Sequence, residues 1–154
     1  MNSLDPKINN KPKLGFRSWI ANPLESKRPP LGSFTGRGDW NRGENISKCN
    51  NFIGVLTAEK DWDSLFPIFN PDPHKSPAPK CHCGYNAFHS LQHLYRSEYG
   101  SCFTGSIIGA VAGAGRVEIH RQGFRAEKAI ILGILIEKQD KKYVEYAASY
   151  YNVP

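Results

Sequence analysis

The sequence predicts an α+β fold: a small, strongly curved antiparallel sheet or partial barrel of about five strands, with two helices and a zinc-pinned loop. Three observations predict it. Residues 106–120 and 124–136 are runs of apolar and small side chains about a tight turn, the pattern of two paired strands. Apolar residues recur at helical spacing over 85–95 and 141–151. Between the early strands and the first of those helices lies a connector too rich in proline to build a core alone, so something must pin it.

The elements follow in chain order. Residues 1–13 are polar, contain Asn9-Asn10 and Pro12, and read as a flexible lead-in to a single domain over 14–154. Residues 14–21 form the first strand, rich in aromatic and branched side chains. From 22 to 51 the periodicity lapses; Pro23, Pro29, Pro30, Gly32, Gly36, Gly38 and Gly43 make turns dominate, with short strand pieces at 31–34 and Trp40. A short strand is expected at 52–56, weakened by Gly54, and the connector over 66–80 carries Pro67, Pro71, Pro73, Pro77 and Pro79. The helix over 85–95 places Phe88, Leu91 and Tyr95 at i, i+3 and i+7, and the closing helix over 141–151 gathers Val144, Ala147, Ala148 and Tyr151.

Four side chains in and around the connector point to a metal. Cys49, His74, Cys81 and Cys83 are spaced C-x24-H-x6-C-x-C. Three thiolates and one imidazole make a closed tetrahedral set for structural zinc. Gly84 follows at once, where a residue without Cβ lets the backbone turn sharply. The alternative is buried free thiols and a surface histidine. His82 and His89 compete for the fourth position, and His89 with His93 at i, i+4 could hold a metal on a helix face. Cys102 beside Phe103 reads as a small buried hydrophobe.

The hairpin is the second cluster. A two-residue Gln122-Gly123 turn would pair His120 with Arg125 and Glu118 with Glu127. It would bury Val117 and Ile119 with Phe124 and Ala126, and collect Arg116, Glu118, His120, Arg125 and Glu127 on the other face. Two opposed glutamates need an arginine, a proton or a ligand between them. Such a face could bind an anionic partner or place His120 as acid/base between Glu118 and Glu127. It could equally be a solvated ladder of ion pairs. The glycine-rich stretch 109–115 lacks the Lys-Ser/Thr and following helix of a phosphate loop, and reads as a strand admitting close approach.

Composition narrows the classes. With 40% apolar and 12% aromatic residues, the chain can bury a core and is not of disordered type. No apolar run approaches a membrane span and no export signal is visible, so a cytoplasmic protein is expected. There, four cysteines favour metal over disulfides. The net charge of +6 suits nucleic acid or an acidic protein surface, or serves solubility alone. Lys27, Arg28, Arg37 and Arg42 form a basic loop. Trp19, Trp40, Trp62, Tyr146, Tyr150 and Tyr151 could stack bases, although such spacings more often mark core.

Taken together, Gly15-Phe16-Arg17-Ser18-Trp19, Cys49, His74-x-x-Pro77-x-x-x-Cys81-x-Cys83-Gly84, Gly115-Arg116-Val117-Glu118-x-His120-x-x-Gly123-Phe124-Arg125-Ala126-Glu127 and the closing Ala148-x-Tyr150-x-x-Val153-Pro154 resemble a group of small bacterial proteins without established activity. The resemblance implies His74 as fourth ligand and a role for the hairpin. Ala114 stands where that pattern would have tryptophan, which removes the ring from any site built on it. The expectation is a zinc-stabilised binding module for nucleic acid or another anionic partner. The alternatives are an inhibitor or adaptor of a protein complex and an enzyme using His120.

Overall fold

The computed structural model describes residues 7–33, 38–49, 74–78, 81, 83–97, 106–135 and 141–154. The strand expected at 52–56, most of the proline-rich connector, Trp62, His82, Arg37 and Cys102 lie outside the described residues. The elements are β1 (Lys7–Asn9), β2 (Lys13–Ala21), β3 (Leu31–Gly32), β4 (Asn45–Ile46), β5 (Tyr85–Phe88), α1 (Leu91–Arg96), β6 (Ser106–Ile119), β7 (Gly123–Leu135) and α2 (Lys141–Tyr151). The α+β class and the curved antiparallel sheet are as the sequence predicts.

Long β6 and β7 pair along most of their length and form the spine. On its other edge β6 takes β2 over Ser106 to Gly113 and β1 over Val117 to Ile119, so residues 7–9 of the expected lead-in are strand. β7 takes β5 and β4. The ring β6–β2–β5–β7 closes through one pair, Phe16 opposite Phe88, which gives the sheet its barrel-like curvature. Register irregularities at Ala110/Val111 and Ala114/Val117 bend the spine, the second at Gly115 with φ 72°. Gly109 sits against the Gly133 carbonyl and the Trp19 ring, so its missing Cβ permits the close approach expected of the glycine-rich strand.

The core holds Trp19, Leu31, Trp40, Ile107, Val111, Val117, Phe124, Ala126, Ile131 and Ile134, covered by Val144, Ala147 and Tyr151 of α2. Trp40 meets Trp19 edge-on at 5.4 Å and Tyr85 at 4.8 Å. These aromatics are packing, not an exposed stacking platform. Tyr146, 41% exposed, faces outward.

The region 85–95 departs from expectation. Tyr85–Phe88 is a strand, with Tyr85, Asn86, Ala87 and Phe88 opposite Ala126, Arg125, Phe124 and Gly123. The helix begins only at Leu91, capped by Ser90, whose hydroxyl accepts from the His93 amide at 3.2 Å. Pairing to β7 satisfies backbone groups that a lone helical turn would leave bare, and the tertiary contact overrides local spacing. His89 therefore precedes the cap, and the His89/His93 helix-face pair is not formed.

Candidate metal centre

β7 carries both ligand segments. β4 pairs with it at Lys128 and Ala129, and the Ser47 amide extends the pairing to the Glu127 carbonyl at 2.7 Å, which sets Cys49 two residues on. Ser47 and Ser76 hydroxyls meet at 2.7 Å and tie that strand end to the His74 segment. Cys83 precedes Gly84, whose φ of 108° makes the expected turn, leading into β5 rather than into a helix. A Cβ at Gly84 would also press Pro77 at 3.0 Å and Arg125 at 3.2 Å.

These segments bring one donor atom each from Cys49, His74, Cys81 and Cys83 within 4.8 Å of one another. Cys49 and Cys81 sulfurs stand 3.6 Å apart, and Cys83 Sγ lies 3.4 Å from His74 Nε2. A tetrahedral ion with metal–sulfur bonds of about 2.3 Å and a metal–nitrogen bond of about 2.0 Å has edges of about 3.8 and 3.5 Å. The Cys49–Cys81 and Cys83–His74 separations fit those edges, and none of the three thiols is in a disulfide. Cys81 and Cys83 are buried; Cys49 and His74 are half-buried. The four residues lie close enough to hold a metal ion, as their spacing in the sequence suggested.

The hairpin differs from its expected register. Val117, Glu118 and Ile119 lie opposite Ala126, Arg125 and Phe124, and the His120 amide donates to the Gly123 carbonyl at 2.8 Å. The loop is thus Arg121-Gln122, and Gly123 belongs to β7. Gly123 is glycine because a Cβ there would run into the Ala87 carbonyl of β5. The partner of Glu118 moves by two residues, from Glu127 to Arg125, so each side chain keeps its expected face while the opposed glutamates disappear.

Nor is the charged face a solvated ladder at this point. Glu118 is 1% exposed and accepts from Arg125 Nη2 at 2.5 Å. Arg125 also donates through Nη1 to the Cys81 carbonyl and, at 3.3 Å, to that of Cys83. Its Nη2 reaches the Ala78 carbonyl at 3.3 Å, and its Nε meets His120 Nε2 at 3.4 Å. His120 Nε2 stands 3.7 Å from Glu118 Oε1, and His89 Nε2 contacts the His120 carbonyl at 3.0 Å. Glu127 lies apart from this group and accepts from the Arg116 amide at 3.1 Å. Arg125 is thus turned inward beneath the metal loop. Exposed Arg121 at the hairpin tip, which the sequence reading left out, has no ion pair among the described residues. Its position at the loop, two residues after Ile119 closes β6, becomes visible only with the true loop.

In the basic loop, Arg28 pairs with Asp39 at 2.7 Å, and its hydrogen bond, helped by that of Asn22, holds the Asp39 carboxyl below the usual carboxylate range. Arg42 lies 6.0 Å from the Tyr150 ring, and Lys27 is exposed. Among the described residues no helix is long and apolar enough to cross a membrane.

Fold and centre together define a class: a small curved-sheet α+β protein with a Cys3His cluster able to take a metal ion. No family model, no curated protein and no solved structure matches the chain.

Proposed function

We propose that the protein is a zinc-stabilised binding module for an anionic partner, with nucleic acid as the first candidate. The observation that carries it is the closed donor set: Cys49, His74, Cys81 and Cys83 supply four ligands to one point. Zinc is the ion favoured by three thiolates and an imidazole in a tetrahedron. Four protein ligands leave no open position for substrate, so the ion serves the fold rather than chemistry. The net charge of +6 supplies the attraction to an anion. Half-buried Arg116, part-exposed His120 and exposed Arg121 would carry contacts at the hairpin, with Glu127 holding the Arg116 main-chain amide and the Glu118–Arg125 pair as support beneath.

Fluorescence anisotropy with labelled single- and double-stranded oligonucleotides, run across a salt series, tests this reading. Binding that weakens with salt, with the slope reduced by about one for Arg121→Ala, supports it. Zinc-loaded protein whose affinity is indifferent to salt, or which binds neither oligonucleotide, sinks it. An inhibitor or adaptor of a protein complex would instead co-purify with a stoichiometric protein.

A specific observation also favours an enzyme. A buried Glu118 carboxylate lies near His120, whose side chain is 43% exposed, so solvent can reach the imidazole. Arg125 Nε–H directed at His120 Nε2 makes that nitrogen an acceptor in the neutral ring. That reading requires a turnover abolished in His120→Ala while fold and metal content persist.

A further inference from the structure

We infer that Arg125 is the positioning residue that locks the metal-bearing loop to the sheet, with Glu118 as its buried counter-charge. This rests on reading the Cys3His cluster as a metal centre. A guanidinium has five N–H donors in a fixed plane. Arg125 has five acceptors for them: the carbonyls of Ala78, Cys81 and Cys83, Glu118 Oε2 and His120 Nε2. Three of those acceptors belong to the loop itself, and two belong to ligand residues.

The loop needs such a partner. Ala78, Cys81 and Cys83 are buried and belong to no strand or helix; the Ala78 carbonyl accepts from the Cys81 amide at 3.2 Å, while those of Cys81 and Cys83 have no ladder to satisfy them. An unpaired buried carbonyl beside a thiolate ligand would let the ligand swing, whereas Arg125 holds three at once from a rigid strand. Groups behind the ligands orient them and tune affinity in this way. Glu118, opposite Arg125 across the spine, fixes the guanidinium plane and balances its charge. Removing the arginine alone strands a buried carboxylate behind a set of thiolates, which burial makes costly. Lysine has three donors on a flexible stem and cannot replace the fork.

The experiment is competition for zinc against a chromophoric chelator at pH 7, with cobalt(II) substitution to read ligand geometry from its absorption bands. The full chain is used as wild type and as Arg125→Ala, Arg125→Lys, Glu118→Gln, Lys128→Ala and Cys81→Ser. Arg125→Ala should weaken zinc binding about 10- to 100-fold and alter the cobalt spectrum, with smaller losses in Arg125→Lys and Glu118→Gln. Lys128, on the same strand but paired with Glu44, should leave both readouts at wild-type values when changed to alanine. If Arg125→Ala fails to fold, the lysine and Glu118→Gln variants decide. Wild-type affinity and spectra in those two, with one ion bound by wild type and none by Cys81→Ser, overturn the clasp and leave the metal centre standing. A loss in Lys128→Ala as large as in the Arg125 variants overturns it too. Wild type that binds neither zinc nor cobalt removes the metal centre and the clasp together.

Discussion

Tyr143 and Tyr151 show how single hydroxyls secure a segment with little regular structure. Tyr143 donates to the carbonyls of Asn22 and Pro30, at 2.7 and 2.5 Å, and Tyr151 donates to that of Trp40 at 2.7 Å while accepting from the Leu31 amide at 3.2 Å. Burial raises both phenol pKa values, that of Tyr143 from 10.0 to about 12. The neutral phenol is the form that the fold favours. Its stabilisation is therefore complete below the unfolded value near 10 and is lost as pH rises through about 12. Tyr143→Phe should cost about 1–2 kcal/mol at pH 7 in urea unfolding and flatten the decline in stability between pH 10 and 12. An equally steep alkaline decline in the variant would clear Tyr143 of that role. Asp39 works in the opposite direction. Its lowered pKa contributes stability above the ordinary carboxylate range that disappears as acid titrates it. Asp39→Asn should therefore show a shallower fall of melting temperature with acid than the wild type.

At the scale of elements, β5 and the hairpin depend on one close approach. Phe88 and Ala87 of β5 lie opposite Gly123 and Phe124, and only glycine leaves room for the Ala87 carbonyl. Gly123→Ala should force these strands apart and destabilise the protein by about 3 kcal/mol, an overpacking cost at the upper end of the usual range. Because β5 begins right after Cys83 and Gly84, the same substitution should loosen the metal loop, visible as faster zinc transfer to a chelator. Unchanged stability in that variant would mean that β5 does not lean on Gly123. The helix signal over 85–95 was legible only in its second half. Leu91 and Leu94 do lie on a helix with Leu94 buried, but Tyr85 to Phe88 answer to β7 instead. Ser90, not singled out in the sequence, caps the helix and sets the boundary, and apolar spacing alone could not compete with β7, and with β2 at Phe88, offering backbone partners.

Across the whole molecule, the Cys3His cluster joins pieces that the sheet leaves apart. Cys49 follows β4, while His74, Cys81 and Cys83 precede β5, and the two segments meet at the cluster and through the Ser47 and Ser76 hydroxyls. On the proposed reading of the cluster as a zinc site, stripping the ion should lower the melting temperature substantially and reversibly, with zinc restoring it, since a structural site contributes its binding free energy to folding. Calorimetry with and without a chelator checks this. Identical transitions in the two conditions would show that the cluster carries no folding energy.

Residue types and spacing were enough to pick out the Cys3His set, the bounds of β2, β6, β7 and α2 to within a residue, and the split of the hairpin into an apolar and a charged face. Each is a local or periodic property: ligand chemistry, alternation of two, a repeat of 3.6. The hairpin register, the strand at 85–88, the strand at 7–9 and the inward turn of Arg125 depend on which backbone lies alongside. Gly123 reads as a turn in isolation and is in fact a gap for the Ala87 carbonyl. Arg125 reads as a surface cation, yet three buried loop carbonyls and the Glu118 carboxylate draw it under the metal loop. Close approach and the pairing of buried polar groups are set between segments far apart in the chain, so only the folded arrangement decides them.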